Sequence, residues 1–211
     1  MNVQYYTDPW PHVVIDDFLP NYIFDSLVDI KEEILNIFGD YTKAEAQKRY
    51  YVNSMSEAII FNSDLKDVAQ TDEIKKLFKD TGLYDIINEY NLFAKDNNDL
   101  LEVYGALSDK EKYNFFKSGV QIQDPGFEYG IHPEASVKLM SLIVFITPED
   151  NYGTWLYESE TQDYYQPSKK IEWKQNRAFI FCGKKDLTWH AFSAKTDEEQ
   201  RFTLGTFFHR I

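Results

Sequence analysis

Leu139-Met140-Ser141-Leu142-Ile143-Val144-Phe145-Ile146-Thr147 decides the fold: it is a near-continuous apolar run of strand length, as a strand buried on both faces would be. Short segments of the same kind surround it, punctuated by turns. Val120 to Gln123 is one, and Phe127 to Glu134 is another, after the turn Asp124-Pro125-Gly126. Gly153 to Tyr157, Ile171 to Lys174, Ala178 to Cys182 and Arg201 to His209 follow. The polar stretch Glu158 to Ser168 is long enough to form a lid or substrate loop.

Upstream the periodicity changes. Ile23, Leu27, Ile30, Ile34 and Ile37 recur at three- and four-residue steps, and Gly39 stands where a helix would be capped. His12 to Leu19 reads as a strand running into a helix start at Pro20-Asn21. A second helical block is expected over residues 72–94, broken near Gly82. A capping box at Ser108-Asp109-Lys110-Glu111 predicts a short helix before Gly119. Tyr50 to Phe61 reads equally as strand or irregular chain. The expected architecture is therefore a single domain over 1–211, mainly β with flanking helices (α+β). Residues 1–118 form a helix-rich N-terminal support, and 119–211 form a barrel or jelly-roll core.

Composition narrows the function classes. The net charge of −13 argues against a nucleic-acid partner, since phosphate binding needs clustered Lys and Arg. Cys182 is the sole cysteine, so no intramolecular disulfide is possible, and its apolar neighbours read as core. Met1 to Trp10 lacks the apolar core of a signal peptide, and no stretch approaches the roughly 18 apolar residues of a membrane span. The expected setting is cytoplasmic, with no membrane partner.

The chain has four histidines, so each can be judged. His12 reads as structural and His209 as solvated. His132-Pro133-Glu134 places an imidazole and a carboxylate at i and i+2, on one face of an extended segment. Pro133 cannot donate to a sheet ladder, so the pair should sit where a strand leaves its sheet. His190, just past an apolar strand and after Trp189, supplies a third group. Two imidazoles and one carboxylate form the facial triad that holds non-haem Fe(II) with open positions. The tripeptide alone is a weak signal: with 35 acidic residues in 211, a given His meets an acid at i+2 by chance about once in six. Arg201 strengthens it, opening the last apolar strand with Thr203 on the same face. A guanidinium fork beside a hydroxyl suits a small carboxylate.

Taken together, these segments resemble the double-stranded β-helix of the 2-oxoglutarate/Fe(II)-dependent dioxygenases, particularly the prolyl-4-hydroxylase-like branch. The resemblance runs through Tyr129 to Glu134, Lys138 to Phe145, Tyr152 to Tyr157, Asn176 to Phe181, Thr188-Trp189-His190 and Arg201 to Leu204, with Pro11 to Pro20 similar to an opening strand. It implies that His132, Glu134 and His190 hold Fe(II). It implies that Arg201 and Thr203 take the far carboxylate of 2-oxoglutarate, and that O2 is consumed with release of succinate and CO2. Ascorbate belongs to the same set as an accessory reductant. Tyr129, Gln121 and Gln123 are placed facing the cosubstrate; Lys138 is a further candidate pocket cation, with a surface lysine as the preferred reading, and Trp155 and Tyr157 read as core or rim. The implied substrate is a peptidyl (prolyl-like) group or a small molecule. The chain departs from the family's usual pattern at Glu134, where Asp is the common acid. Two other readings stay open: a catalytically inactive double-stranded β-helix binding module and, more weakly, a zinc hydrolase in which Arg201 and Thr203 have no role.

Overall fold

A computed structural model describes residues 1–38, 47–52, 60–61, 82–94, 115–135, 138–197 and 199–209. The apolar run is the ten-residue strand β7 (Lys138–Thr147). It lies inside an eight-stranded sheet, ordered β1 (Asn2–Tyr6), β2 (His12–Asp16), β10 (Ala178–Cys182), β7, β12 (Arg201–His209), β5 (Phe115–Gln123), β3 (Gln47–Val52) and β4 (Ile60–Phe61). A four-stranded sheet has the order β6 (Glu128–His132), β11 (Trp189–Ser193), β8 (Thr154–Tyr157) and β9 (Lys169–Ile171). Every pairing in both sheets is antiparallel.

Strand alternation explains why β7 is apolar throughout. Leu142 and Val144 face outward with Ile180, Phe202 and Leu204. They share one core with Ile23 and Leu27 of α1 (Asn21–Phe38) and with Ile86 and Tyr90 of α2 (Leu83–Ala94). Phe145 faces the other way, with Val14, Phe179 and Phe181, and meets Leu156 and Ile171 of the small sheet in a second core. One strand thus has helices on one side and a sheet on the other, which is the sandwich arrangement expected of a jelly roll. Each such side chain contributes about 1.5–3 kcal/mol by leaving water. Truncating the fully buried Ile180 to Ala would cost about 2–5 kcal/mol, because the sheet cannot collapse into the gap.

Asn176 closes the corner between the helical layer and the sheet. Its backbone takes the left-handed conformation (φ 57°), which Asn tolerates better than most residues. Its side chain donates to the Leu19 carbonyl and accepts from the Leu19 amide, both at 2.8 Å. The adjacent Arg177 makes a two-point ion pair with Asp16, Nε to Oδ1 at 2.6 Å and Nη2 to Oδ2 at 3.2 Å. The Asn-Arg pair before β10 therefore fixes the entry of the chain into α1.

Several boundaries differ from those expected. β9 ends at Ile171, so Glu172 to Lys174 lead into the turn at Gln175-Asn176 before β10. His190 follows the apolar strand β10 as expected, but lies inside a further strand, β11, where it pairs on both sides, with His132 and with Leu156. Residues 115–118, expected before the strand, belong to β5, where β12 extends the ladder as far as Phe115. The first 118 residues also supply β1, β2, β3 and β4 to the large sheet. Of the helix-rich support, α1 and α2 are described. Gly39, residues 72–81, the capping box at 108–111 and the middle of the Tyr50 to Phe61 segment lie outside the described residues. Among the described residues no helix is long and apolar enough to cross a membrane.

Candidate metal and cosubstrate site

β6 ends at His132, Pro133 breaks the ladder, and Glu134 follows at the mouth of the sandwich, as the missing proline N–H requires. The Lys138 amide, at the start of β7, donates to the Ala135 carbonyl at 2.8 Å. Across the small sheet, His190 pairs in register with His132, and their ring centroids lie 4.2 Å apart. Each ring donates Nδ1–H to a backbone carbonyl, His132 to Gly130 at 2.8 Å and His190 to Thr188 at 2.9 Å. That tautomer leaves the Nε2 lone pairs for a ligand. Burial, with His190 beside it, pushes the His132 imidazole down to about 3; burial also lowers that of His190. Both rings are therefore neutral at physiological pH, the state a metal needs.

Glu134 is 6% exposed, and its Oε1 stands 3.7 Å from His190 Nε2. Burial alone would raise its pKa. The Lys138 ammonium, 2.6 Å from Oε2, outweighs that effect, so the carboxyl sits below its ordinary value and stays ionised.

These groups line a cavity of about 380 Å³ together with Arg201, Lys138, Gln121, Tyr129 and Thr154, and with an apolar wall of Ile143, Phe179, Phe181, Phe192 and Phe207. Arg201 is 2% exposed. Its Nη1 donates to Gln123 Oε1 at 2.9 Å, and its Nε points at the Tyr152 carbonyl at 3.4 Å. The rings of Phe145, Trp173 and Phe192 surround its guanidinium at 4.7–5.6 Å, which suits a delocalised cation. Burial brings its pKa down to about 9, so it keeps its charge at neutral pH. Among the described residues no carboxylate pairs with it.

The sequence-derived residues divide as follows. His132, Glu134, His190, Arg201, Tyr129 and Gln121 all line the cavity. Gln123 stands behind Arg201 and orients it. Thr203 is fully buried two residues along β12, paired with Gln121 and Phe145. Among the described residues its hydroxyl and the Gln123 side-chain amide nitrogen have no hydrogen-bond partner. Lys138, expected first on the surface, is a cavity residue with a 14% exposed side chain, as in its alternative reading, because β7 starts inside the mouth. The apolar wall escaped the sequence reading, although its signal was present: Phe179 and Phe181, like Arg201, Thr203 and Phe207, stand at period-2 positions of one face. Trp155 is half-buried and Tyr157 buried, as core or rim residues would be.

No family model and no curated protein matches the chain. Solved structures do. A prolyl-4-hydroxylase from Pseudomonas putida superposes with a TM-score of 0.53 at 11% identity, over 95% of this chain and 92% of that one. A prolyl hydroxylase from Trichoplax adhaerens, in complex with a hypoxia inducible factor oxygen degradation domain peptide fragment, gives 0.51 at 12% identity, over 94% and 83%. The structure of OsALKBH1 gives 0.51 at 17% identity, over 94% and 97%. The chain thus shares the jelly-roll fold of these prolyl hydroxylase and ALKBH1 structures.

The residues fit a ferrous ion in kind. Two neutral imidazoles with Nε2 lone pairs and one ionised carboxylate make the donor set, and the 3.7 Å between His190 and Glu134 is less than twice a metal–ligand bond of about 2.1 Å. As they stand, no three His, Cys, Asp or Glu side chains among the described residues are gathered closely enough to hold an ion.

Proposed function

We propose that the protein is a non-haem Fe(II) and 2-oxoglutarate-dependent dioxygenase that hydroxylates a peptidyl, prolyl-like group or a small molecule. One observation carries this reading. A buried arginine that, among the described residues, has no carboxylate partner shares one cavity with two neutral histidines and an ionised glutamate. A buried unpaired charge is costly, and it persists where a ligand of opposite sign completes it. A dicarboxylate whose far end pairs with Arg201 supplies that charge.

On this reading His132, Glu134 and His190 hold Fe(II), which when bound supplies the site for O2 chemistry. Arg201, steered by Gln123, binds the far carboxylate of the cosubstrate, and the Thr203 hydroxyl and Gln123 amide offer donors beside it. Phe179, Phe181 and Phe192 keep water from the reacting centre. Tyr129, 38% exposed at the mouth and stacked on Phe192 with centroids 5.4 Å apart, borders the opening through which a substrate enters. The fold shared with a prolyl hydroxylase solved with a peptide supports a peptide substrate.

The test is succinate formation from 2-oxoglutarate with Fe(II), O2 and ascorbate, with His132→Ala as control. Succinate from the wild type and none from the variant is expected. No succinate with any candidate peptide, and no uncoupled turnover, would favour the binding module that has lost its chemistry.

A further inference from the structure

Glu134 is longer by one methylene than the aspartate usual in this fold, and that raises a geometric problem. The extra torsion lets the carboxylate swing, or take an ion with both oxygens and so fill a position that should stay open. The two oxygens of Glu134 are not equivalent here. Oε1 faces His190 Nε2 at 3.7 Å, whereas Oε2 is held by the Lys138 ammonium at 2.6 Å. Lys138 is itself fixed. Its backbone amide donates to the Ala135 carbonyl, and its ammonium lies 4.1 Å from the centroid of the Phe207 ring. Gly183 packs against the same backbone so closely that a Cβ there would stand 2.1 Å from the Lys138 carbonyl oxygen and 3.3 Å from Glu134 Cβ.

We propose that Lys138 is a positioning residue for Glu134: it holds Oε2 so that Oε1 alone is offered to the metal, and it thereby lets a glutamate serve at this position. The inference rests on the metal-site reading above. A nearby cation also repels a metal ion, so two effects oppose each other. The orienting effect wins, because a carboxylate this buried, deprived of its only close cation partner among the described residues, turns toward water and away from His190. Groups that hold a ligating carboxylate from behind are typically worth about 10–100-fold in metal affinity.

The experiment is Mn(II) binding, measured by calorimetry and by electron paramagnetic resonance, without cosubstrate. It uses wild type, Lys138→Met, Lys138→Gln, Glu134→Asp and the double variant Glu134→Asp/Lys138→Met. Lys138→Met and Lys138→Gln should each weaken Mn(II) about 10–100-fold. With Asp at 134 the shorter carboxylate does not need the ammonium, and Lys138→Met should then change affinity less than about threefold, a coupling that a merely structural lysine would not give. Co(II)-loaded Lys138→Met should show an altered d–d spectrum as the carboxylate swings away from His190. Equal or tighter Mn(II) binding by both Lys138 variants would overturn the positioning role and make Lys138 a competitor, leaving the three ligands standing. Absence of Mn(II) binding from the wild type and all variants would instead overturn the metal site itself.

Discussion

The Arg201 guanidinium donates to Gln123 Oε1 at 2.9 Å across the β5–β12 ladder, and this neutral amide is its closest polar partner among the described residues. The pair is in direct register, so the sheet itself sets the angle of the fork. A cation held this way, walled by three aromatic rings, is prepared for an anion and strained without one.

Stability and binding should therefore move in opposite directions at Arg201. Arg201→Met replaces an unpaired buried charge by an apolar side chain of similar length, so without ligand its urea midpoint should equal or exceed that of wild type. The same change should weaken 2-oxoglutarate by about 30-fold or more, the usual consequence of truncating one partner of a buried charge pair. Gln123→Leu should weaken it less, by about tenfold, because it releases the fork without discharging it. Calorimetric titration with 2-oxoglutarate and metal checks both. Equal affinity in wild type and Arg201→Met would remove Arg201 from the site.

The Asp16–Arg177 pair gives a pH dependence with a definite sign. The Arg177 hydrogen bond holds the Asp16 carboxyl below its ordinary value, with Lys174 assisting at 3.2 Å. A depressed carboxylate stabilises the fold above its unfolded pKa of about 3.9, and the contribution is lost as pH falls through the folded value. Asp16→Asn should cost about 1 kcal/mol at pH 7, a modest figure for a partly exposed pair. Urea unfolding should show the gap to wild type closing below about pH 4. A gap that stays constant down to pH 2.5 would contradict the assignment.

Asn176 combines a strained backbone with two buried hydrogen bonds to Leu19. Asn176→Ala should cost about 2–4 kcal/mol, since it orphans the Leu19 amide and puts at positive φ a residue that tolerates it less well than Asn. Asn176→Gly loses the same bonds without the strain, and should be less harmful by about 1 kcal/mol. Chemical denaturation of the two variants tests this order, and alanine proving the milder change would contradict it.

How much of this was legible beforehand follows from the physics of each signal. Leu139 to Thr147 announced a doubly buried strand because both faces had to be apolar. Pro133 marked the strand end because it lacks an N–H. Arg201 and Thr203 shared a face by period 2, and the structure keeps them on one side of β12. Lys138 reads first as a surface lysine, since a lysine next to a strand start is normally solvated, and its alternative reading as a pocket cation is the one that matches its place beside Phe207. The pairing of His190 with His132 was hidden, because register between distant strands leaves no local trace in sequence. The Asn176-Arg177 pair was noticed as a motif, but its partners Leu19 and Asp16 lie more than 150 residues away.

The central claim is that one cavity holds a ferrous ion on His132, Glu134 and His190 and a 2-oxo acid against Arg201. The most direct measurement is anaerobic titration of the protein with Fe(II) and 2-oxoglutarate, followed in the visible. A weak metal-to-ligand charge-transfer band should grow to one equivalent in the wild type, and should be absent from His132→Ala. No band in wild type that retains its fold, or an undiminished band in His132→Ala, would contradict the account.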